Sequence, residues 1–247
     1  MADIYTNTYP IINLHKKIST KSEIVTQLIY GENFTIIKKK NKWLQIKILG
    51  DNYKGFILNK KFKTYIKPTH KIQKLRTTVY HFPKGRKKKT ELTFNSKIKI
   101  IKKKSKFLQF NLGWVKEGDV KPIYYKEKDF FKKINLFKNI KYKWGGKSFK
   151  GIDCSALIQI CLNFNNRFCP RDTKKQIKYF KKNVKINSIK KNDILYWKGH
   201  VAVALSKNEL IHAYGPKNKT IIMNIKKTIN IIKKTAKLKL LKIKRIN

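Results

Sequence analysis

Cysteine is scarce in this chain. There are three, Cys154, Cys161 and Cys169. An odd number at spacings that match no CxxC pattern argues against a zinc ribbon, a dithiol redox motif or a disulfide framework, and suits a reducing compartment. Long apolar runs are missing as well. None is long enough to span a bilayer, and Met1-Ala2-Asp3-Ile4-Tyr5 leads into no apolar core of a secretory signal. These absences read as a cytoplasmic protein with no membrane partner. Acidic residues are the third shortage: 13 Asp and Glu stand against 61 Lys and Arg, a formal charge of +48 over 247 residues. Such a charge points toward nucleic acid. The lysines, however, are spread along the whole length together with abundant Ile and Asn, which is a chain-wide bias rather than a docking face. No aromatic stacking motif accompanies them. Nucleic acid is therefore not the expected partner, although the positive field favours anionic substrates.

Apolar residues make up 41% of the chain, enough for buried cores. The length fits one large domain or two to three small ones. An internal repeat organises the first half. Ile36-Ile37-Lys38-Lys39-Lys40-Asn41-Lys42-Trp43-Leu44-Gln45 matches Ile100-Ile101-Lys102-Lys103-Lys104-Ser105-Lys106-Phe107-Leu108-Gln109. Each copy precedes a Gly-aromatic-aliphatic trio, Gly55-Phe56-Ile57 and Gly113-Trp114-Val115. The flanks alternate in hydrophobicity and are rich in Ile, Thr, Phe and Tyr, so they read as strands, with each lysine run as a hairpin tip. A nuclear-address or RNA-binding reading of those lysines competes with that of a solvated turn. Two small all-β domains are expected over 1–66 and 67–124.

From about residue 125 the pattern changes. Residues 129–138 read as a short helix, 155–164 as an apolar-faced helix and 171–182 as a helix opening after Pro170. Short strands follow at 193–197, 200–205 and 209–214. The fold class is α+β, with 125–247 as its last domain.

The chemistry concentrates in that domain. Cys154 opens a helix directly after the run Tyr142-Lys143-Trp144-Gly145-Gly146 … Gly151-Ile152-Asp153. Unpaired N–H groups and the macrodipole at such a position favour a thiolate. A buried structural cysteine is the competing reading, and it suits Cys161 better. A thiol nucleophile needs a base within reach. His200, Ala202 and Ala204 share one face of a strand. With Ser206-Lys207-Asn208 as a hairpin loop, Leu205 pairs with Glu209 and Ala202 with His212. The two histidines then become diagonal neighbours on one face, about 7–8 Å apart between backbones. A slip of one residue would separate them. That arrangement offers a base, His200, and a group to orient it, His212. Zinc is the other use of one Cys and two His, but no fourth ligand is evident.

The ordered set Tyr-x-Trp-Gly-Gly, Asp-Cys-Ser, Pro-Arg-Asp-Thr-x-x-Gln, Gly-His-Val and Ile-His-Ala resembles the NlpC-type (p-sixty) cell-wall cysteine peptidases. The preceding repeats resemble bacterial SH3-like barrels, and tandem copies resemble the subgroup that cleaves free murein peptides. The resemblance implies a papain-like catalytic core and a triad of Cys154, His200 and His212, with Tyr142 helping to hold the oxyanion. It implies hydrolysis of the γ-D-glutamyl bond to a diamino acid such as meso-diaminopimelate, without metal or organic cofactor; separately, a monomer is expected. It also implies that Asp153 pairs with the ammonium of an N-terminal L-alanine, with Ser155 nearby, and that Thr173, Tyr53 and Glu23 touch substrate. A helix N-cap is the alternative role for Asp153, and surface or capping roles for Thr173 and Glu23. Two departures stand out: Ala156 where glycine is commonest, and Phe56 where tryptophan is usual. A hydrolase of intact wall and a non-catalytic polyanion-binding module are the alternative functions.

Overall fold

The computed structural model describes residues 3–246; residues 1, 2 and 247, the outer ends of the first and last expected domains, lie outside the described residues. The chain divides into two compact units. One holds the residues up to 126 together with 147–149, and the other holds 127–146 and everything from 150 onward.

The N-terminal unit is built from β-strands. Its first part is a seven-stranded sheet, and its second part combines a five-stranded and a three-stranded sheet. The sequence repeat is also a structural repeat. In the first copy Gln45 pairs with Phe56, and in the second Gln109 pairs with Trp114, so the Gly-aromatic-aliphatic trio meets the preceding strand in the same register. The alternating residues Leu44 and Ile57, and Leu108 and Val115, enter the two cores. Tyr30 of the first copy packs into the core of the second and hydrogen-bonds Asn111. Because of such contacts the two copies cluster as one compact unit. The lysine runs are not the hairpin tips. Lys38–Lys40 and Lys102–Lys104 are exposed strand residues, and the chain reverses at the next two positions, where Asn41 and Ser105 take positive φ. A tip needs that left-handed conformation, which asparagine tolerates and lysine does not favour.

Residues 147–149 belong to this unit through polar contacts. Lys147, almost fully buried, donates its Nζ to both oxygens of Glu32 at 2.8 and 2.9 Å. Its backbone N–H donates to Gln27 Oε1 at 2.8 Å.

The C-terminal unit is α+β. Its six-stranded antiparallel sheet runs in the order 182–183, 242–245, 194–197, 200–204, 209–214, 219–224. The helix α1 (Cys154–Phe164) has ten buried residues out of eleven. A helix apolar on all sides must sit inside, and α1 packs against the strands His200–Ala204 and Glu209–Tyr214. The helix α2 (Thr173–Tyr179) is shorter than the sequence suggested. A third helix, α3 (Ile225–Ala236), buries Ile225, Thr228 and Ile232 along one stripe, and Asn224 caps it by accepting the Lys227 N–H at 3.0 Å.

The helix expected over 129–138 does not form. A chain of i→i+3 turns ends in a 3-10 segment, Ile134–Phe137. Asp129 explains the difference, because its Oδ1 accepts the Phe131 N–H at 2.9 Å. That local side-chain bond competes with helical hydrogen bonding.

Candidate active site

Cys154 is the first residue of α1, and Asp153 is the N-cap, accepting the Ala156 N–H at 2.8 Å. The Gly-rich turn before it is required by geometry. Gly145 has φ +69°, and its N–H reaches Asp153 Oδ2 at 2.9 Å. Gly151 has φ +147°, and a side chain there would come within 2.5 Å of Lys143 Cβ.

The sheet brings the histidines to the same place. The hairpin pairs Val203 with Ile211 and Ala204 with Leu210. That register makes His200 and His212 diagonal neighbours, and His200 Nε2 lies 2.9 Å from His212 Nδ1. His212 is fully buried, and Tyr214 stacks on it with centroids 4.6 Å apart and planes 11° from parallel. Its other nitrogen, Nε2, lies 3.4 Å from Met223 Sδ. Trp197 flanks His200 at 5.7 Å between centroids.

The thiol meets the backbone on both sides of His200. Cys154 Sγ is 4.0 Å from the Gly199 carbonyl oxygen, and the Val201 N–H also reaches the sulfur. The sequence led us to expect a lowered thiol pKa at this helix start. The structure reverses this: burial and then the Asp153 carboxylate push Cys154 up to about 12, and the Val201 and Ser155 N–H groups and Arg171 only partly offset them. Burial lowers His200 to about 4, and burial followed by His200 itself lowers His212 to about 3. At neutral pH these shifts leave the thiol and both imidazoles uncharged. Tyr142 lies close enough that Cys154 and Asp153 add to burial in raising its pKa, which keeps the hydroxyl a proton donor. Its ring also lies against Gly215.

Asp153 and Ser155 are committed inside the protein. Arg171 donates Nη1 to Asp153 Oδ1 at 3.0 Å and Nη2 to Oδ2 at 2.5 Å, and also Nη1 to Ser155 Oγ at 2.8 Å. Ser155 Oγ donates to Asp153 Oδ1 at 3.1 Å. Both Asp153 oxygens therefore face protein donors, and the carboxylate acts as helix cap and as partner of a buried guanidinium. The role anticipated for it, pairing with a substrate ammonium, finds no oxygen without a protein donor.

Thr173 is the first, half-buried residue of α2. Glu23 and Tyr53 belong to the N-terminal unit. Glu23 is exposed and pairs with Lys16 at 2.9 Å, whereas Tyr53 packs on the core of the first sheet. Among the described residues, no group of three or more His, Cys, Asp or Glu is placed to hold a metal ion, and no helix is long and apolar enough to cross a membrane.

Arg171 stands in the Pro-Arg-Asp-Thr motif without a role of its own, and Met223 belongs to no motif. For Arg171 a signal was available. Only five of the 61 basic residues are arginine, and in a lysine-biased chain an arginine marks a need for the planar two-pronged fork. Arg245 follows the same rule, gripping the fully buried Asp193 with two bonds of 2.7 Å.

Residues 139–237 match the model of the NlpC/P60 family, and residues 14–62 match that of the bacterial dipeptidyl-peptidase SH3 domain. The chain is 22% identical to a gamma-D-glutamyl-L-lysine dipeptidyl-peptidase of Bacillus subtilis, covering 86% of this chain and 79% of that one. It is 38% identical to dipeptidyl-peptidase 6 of Lysinibacillus sphaericus over 29% of this chain and 27% of that one. The structure is similar to that of an NlpC/P60 family protein from Bacillus cereus, with a TM-score of 0.83 at 17% identity over 98% and 99% of the two chains. At that identity the structural likeness speaks for the fold alone.

Proposed function

Since this chain carries an NlpC/P60 cysteine-peptidase domain behind a bacterial SH3-like domain, we propose that it hydrolyses the γ-D-glutamyl bond to a diamino acid in free murein peptides that begin with L-alanine. Diaminopimelate and lysine are both candidates for the diamino acid, and two relatives are named for L-lysine. The observation that carries the reading is the His200–His212 contact of 2.9 Å, with the backbone of the residues on either side of His200 reaching the Cys154 sulfur.

In the mechanism we propose, His200 uses Nε2 toward His212 and takes the thiol proton on Nδ1. The raised thiol pKa and lowered imidazole pKa keep both groups neutral at rest, so proton transfer accompanies attack rather than preceding it. The sulfur bonds to the amide carbon. The oxyanion is held by the Cys154 N–H, which opens α1 without an intrahelical acceptor, and by the Tyr142 hydroxyl. His200 then gives its proton to the leaving amine, and water clears the thioester with the same histidine as base. His212 orients the imidazole. Arg171 fixes Asp153 and Ser155, and with them the first turn that aims the sulfur. Thr173, Glu23 and Tyr53 remain proposed substrate contacts. A monomer working in the cytoplasm on murein turnover products fits this reading.

Cys154→Ser should fold normally and lose turnover of L-Ala-γ-D-Glu-diamino-acid peptides by at least about a thousandfold. Full activity in that variant would falsify the mechanism. Mass spectrometry of free and N-acetylated peptides and of whole sacculi tests the substrate. Cleavage confined to free peptides is expected, and equal cleavage of blocked peptides or sacculi would favour a wall-lytic enzyme.

A further inference from the structure

For His200 to accept a thiol proton on Nδ1, its own proton must rest on Nε2, pointing at His212. Two neutral imidazoles facing each other through Nε2 and Nδ1 share one proton in that contact, and either ring can own it. The choice decides whether the base is armed. If His212 holds the proton on Nδ1, His200 accepts it on Nε2 and presents Nδ1–H, which cannot take another.

The far side of His212 makes the choice. That ring is fully buried, with Nε2 3.4 Å from Met223 Sδ. A thioether sulfur has lone pairs and no proton, so it only accepts. A proton on Nε2 finds an acceptor there. An unprotonated Nε2 would set one lone pair against another in a site without water's screening. The protonated nitrogen of a histidine is set by what its other nitrogen meets, and here both contacts agree. We propose that Met223 is a positioning residue: it holds the His212 proton on Nε2, which makes His212 Nδ1 an acceptor, His200 Nε2 the donor, and His200 Nδ1 the open base. This rests on His200 being the general base.

The fold places the sulfur for this purpose. The strands Glu209–Tyr214 and Lys219–Asn224 are antiparallel with His212 opposite Ile221, so Met223 is the diagonal neighbour on the same face. The Tyr214 stack fixes the plane of the His212 ring, so its edge is held toward the sulfur. Met223 is half-buried and packs against the sheet core. A leucine would satisfy the packing as well, and only the sulfur supplies an acceptor.

The test uses the full chain with 15N-labelled histidine. Long-range proton–nitrogen spectra read the tautomer of each of the five histidines. In the wild-type protein both His200 and His212 should carry the proton on Nε2. Met223→Leu conserves volume and should move both rings toward the Nδ1–H form. It should lower kcat about threefold to tenfold, the equivalent of one weak hydrogen bond, with KM within about twofold. Met223→Gln, whose amide oxygen accepts, should restore the Nε2–H form and at least half of kcat. A wild-type His212 protonated on Nδ1 overturns the proposal, as do unchanged tautomers in Met223→Leu or a glutamine variant that behaves like leucine. The tautomers are read without turnover. An active Cys154→Ser variant would therefore remove the thiol mechanism alone, and unmoved tautomers beside an inactive Cys154→Ser would remove this proposal alone.

Discussion

At the scale of single residues, the site depends on charges withheld from solvent. Asp153 and Arg171 are each more than nine-tenths buried and joined by two hydrogen bonds. Removing one partner of a buried pair leaves the other charge uncompensated, which costs about 3–5 kcal/mol. Arg171→Met is therefore expected to lower the unfolding free energy by that amount, seen as a fall in the denaturant midpoint at unchanged slope. Arg171→Lys, with one point charge in place of a fork, should fall between it and wild type. The folded fraction should keep a KM close to wild type, because Asp153 serves the helix start. A large rise in KM without loss of stability would return Asp153 to the substrate. Residue types made Cys154, His200 and His212 legible in the sequence, since a thiol and two same-face imidazoles have few bland explanations. The commitments of Asp153 were illegible, because an N-cap and an ammonium ligand demand the same residue at the same place, and only the partner 18 positions later separates them.

At the scale of elements, the hairpin 200–214 carries both imidazoles, and its register was readable from alternation together with loop length. His200, Ala202 and Ala204 share a face, and a three-residue loop fixes the phase. The 129–138 turn region was misread because one Asp side chain outbid the helical pattern. The helix α3 lay unnoticed inside a Lys/Ile-rich run, whose composition is that of the whole chain. The hairpin also makes stability depend on pH. His200 and His212 are held near 4 and 3, below the ordinary value of 6.5, so between about pH 6.5 and pH 4 the unfolded chain binds protons that the folded chain refuses. Their contribution is complete above pH 6.5 and is lost as the pH falls. From pH 7.5 to pH 5.5, before carboxylates titrate appreciably, the urea midpoint should fall, and His212→Asn should flatten that slope. The acid limb of kcat/KM should lie near pH 4, where His200 protonates, unless unfolding comes first. A wild-type midpoint constant down to pH 5.5 would mean that the pair is solvated.

At the scale of the whole molecule, the charge of +48 is the least specific feature and the most pervasive. The C-terminal unit has six acidic residues: Glu127, Asp129, Asp153, Asp172, Asp193 and Glu209. Four of them form ion pairs within the unit: Glu127 with Lys132 and Lys133, Asp129 with Lys191, Asp153 with Arg171 and Asp193 with Arg245. Most of its carboxylates are thus neutralised locally, and its lysines far outnumber them. Their summed field attracts anions over roughly a Debye length, about 10 Å at 0.1 M salt and about 3 Å at 1 M. Unlike the lysine peptide, whose charges cancel, a murein peptide ending in diaminopimelate has three carboxylates against two ammonium groups and is such an anion. Its kcat/KM is expected to fall several-fold between about 0.02 M and about 0.5 M salt, with kcat unchanged, because steering acts on encounter and not on the acyl step. The same peptide with its carboxylates amidated keeps only its two ammonium charges and should show the opposite slope, with kcat/KM rising as salt screens the repulsion. Equal slopes for the two would place the salt effect on the enzyme itself. Loss of kcat with KM constant would place it on the chemistry, and either result would leave the lysines as a compositional bias with no part in capture.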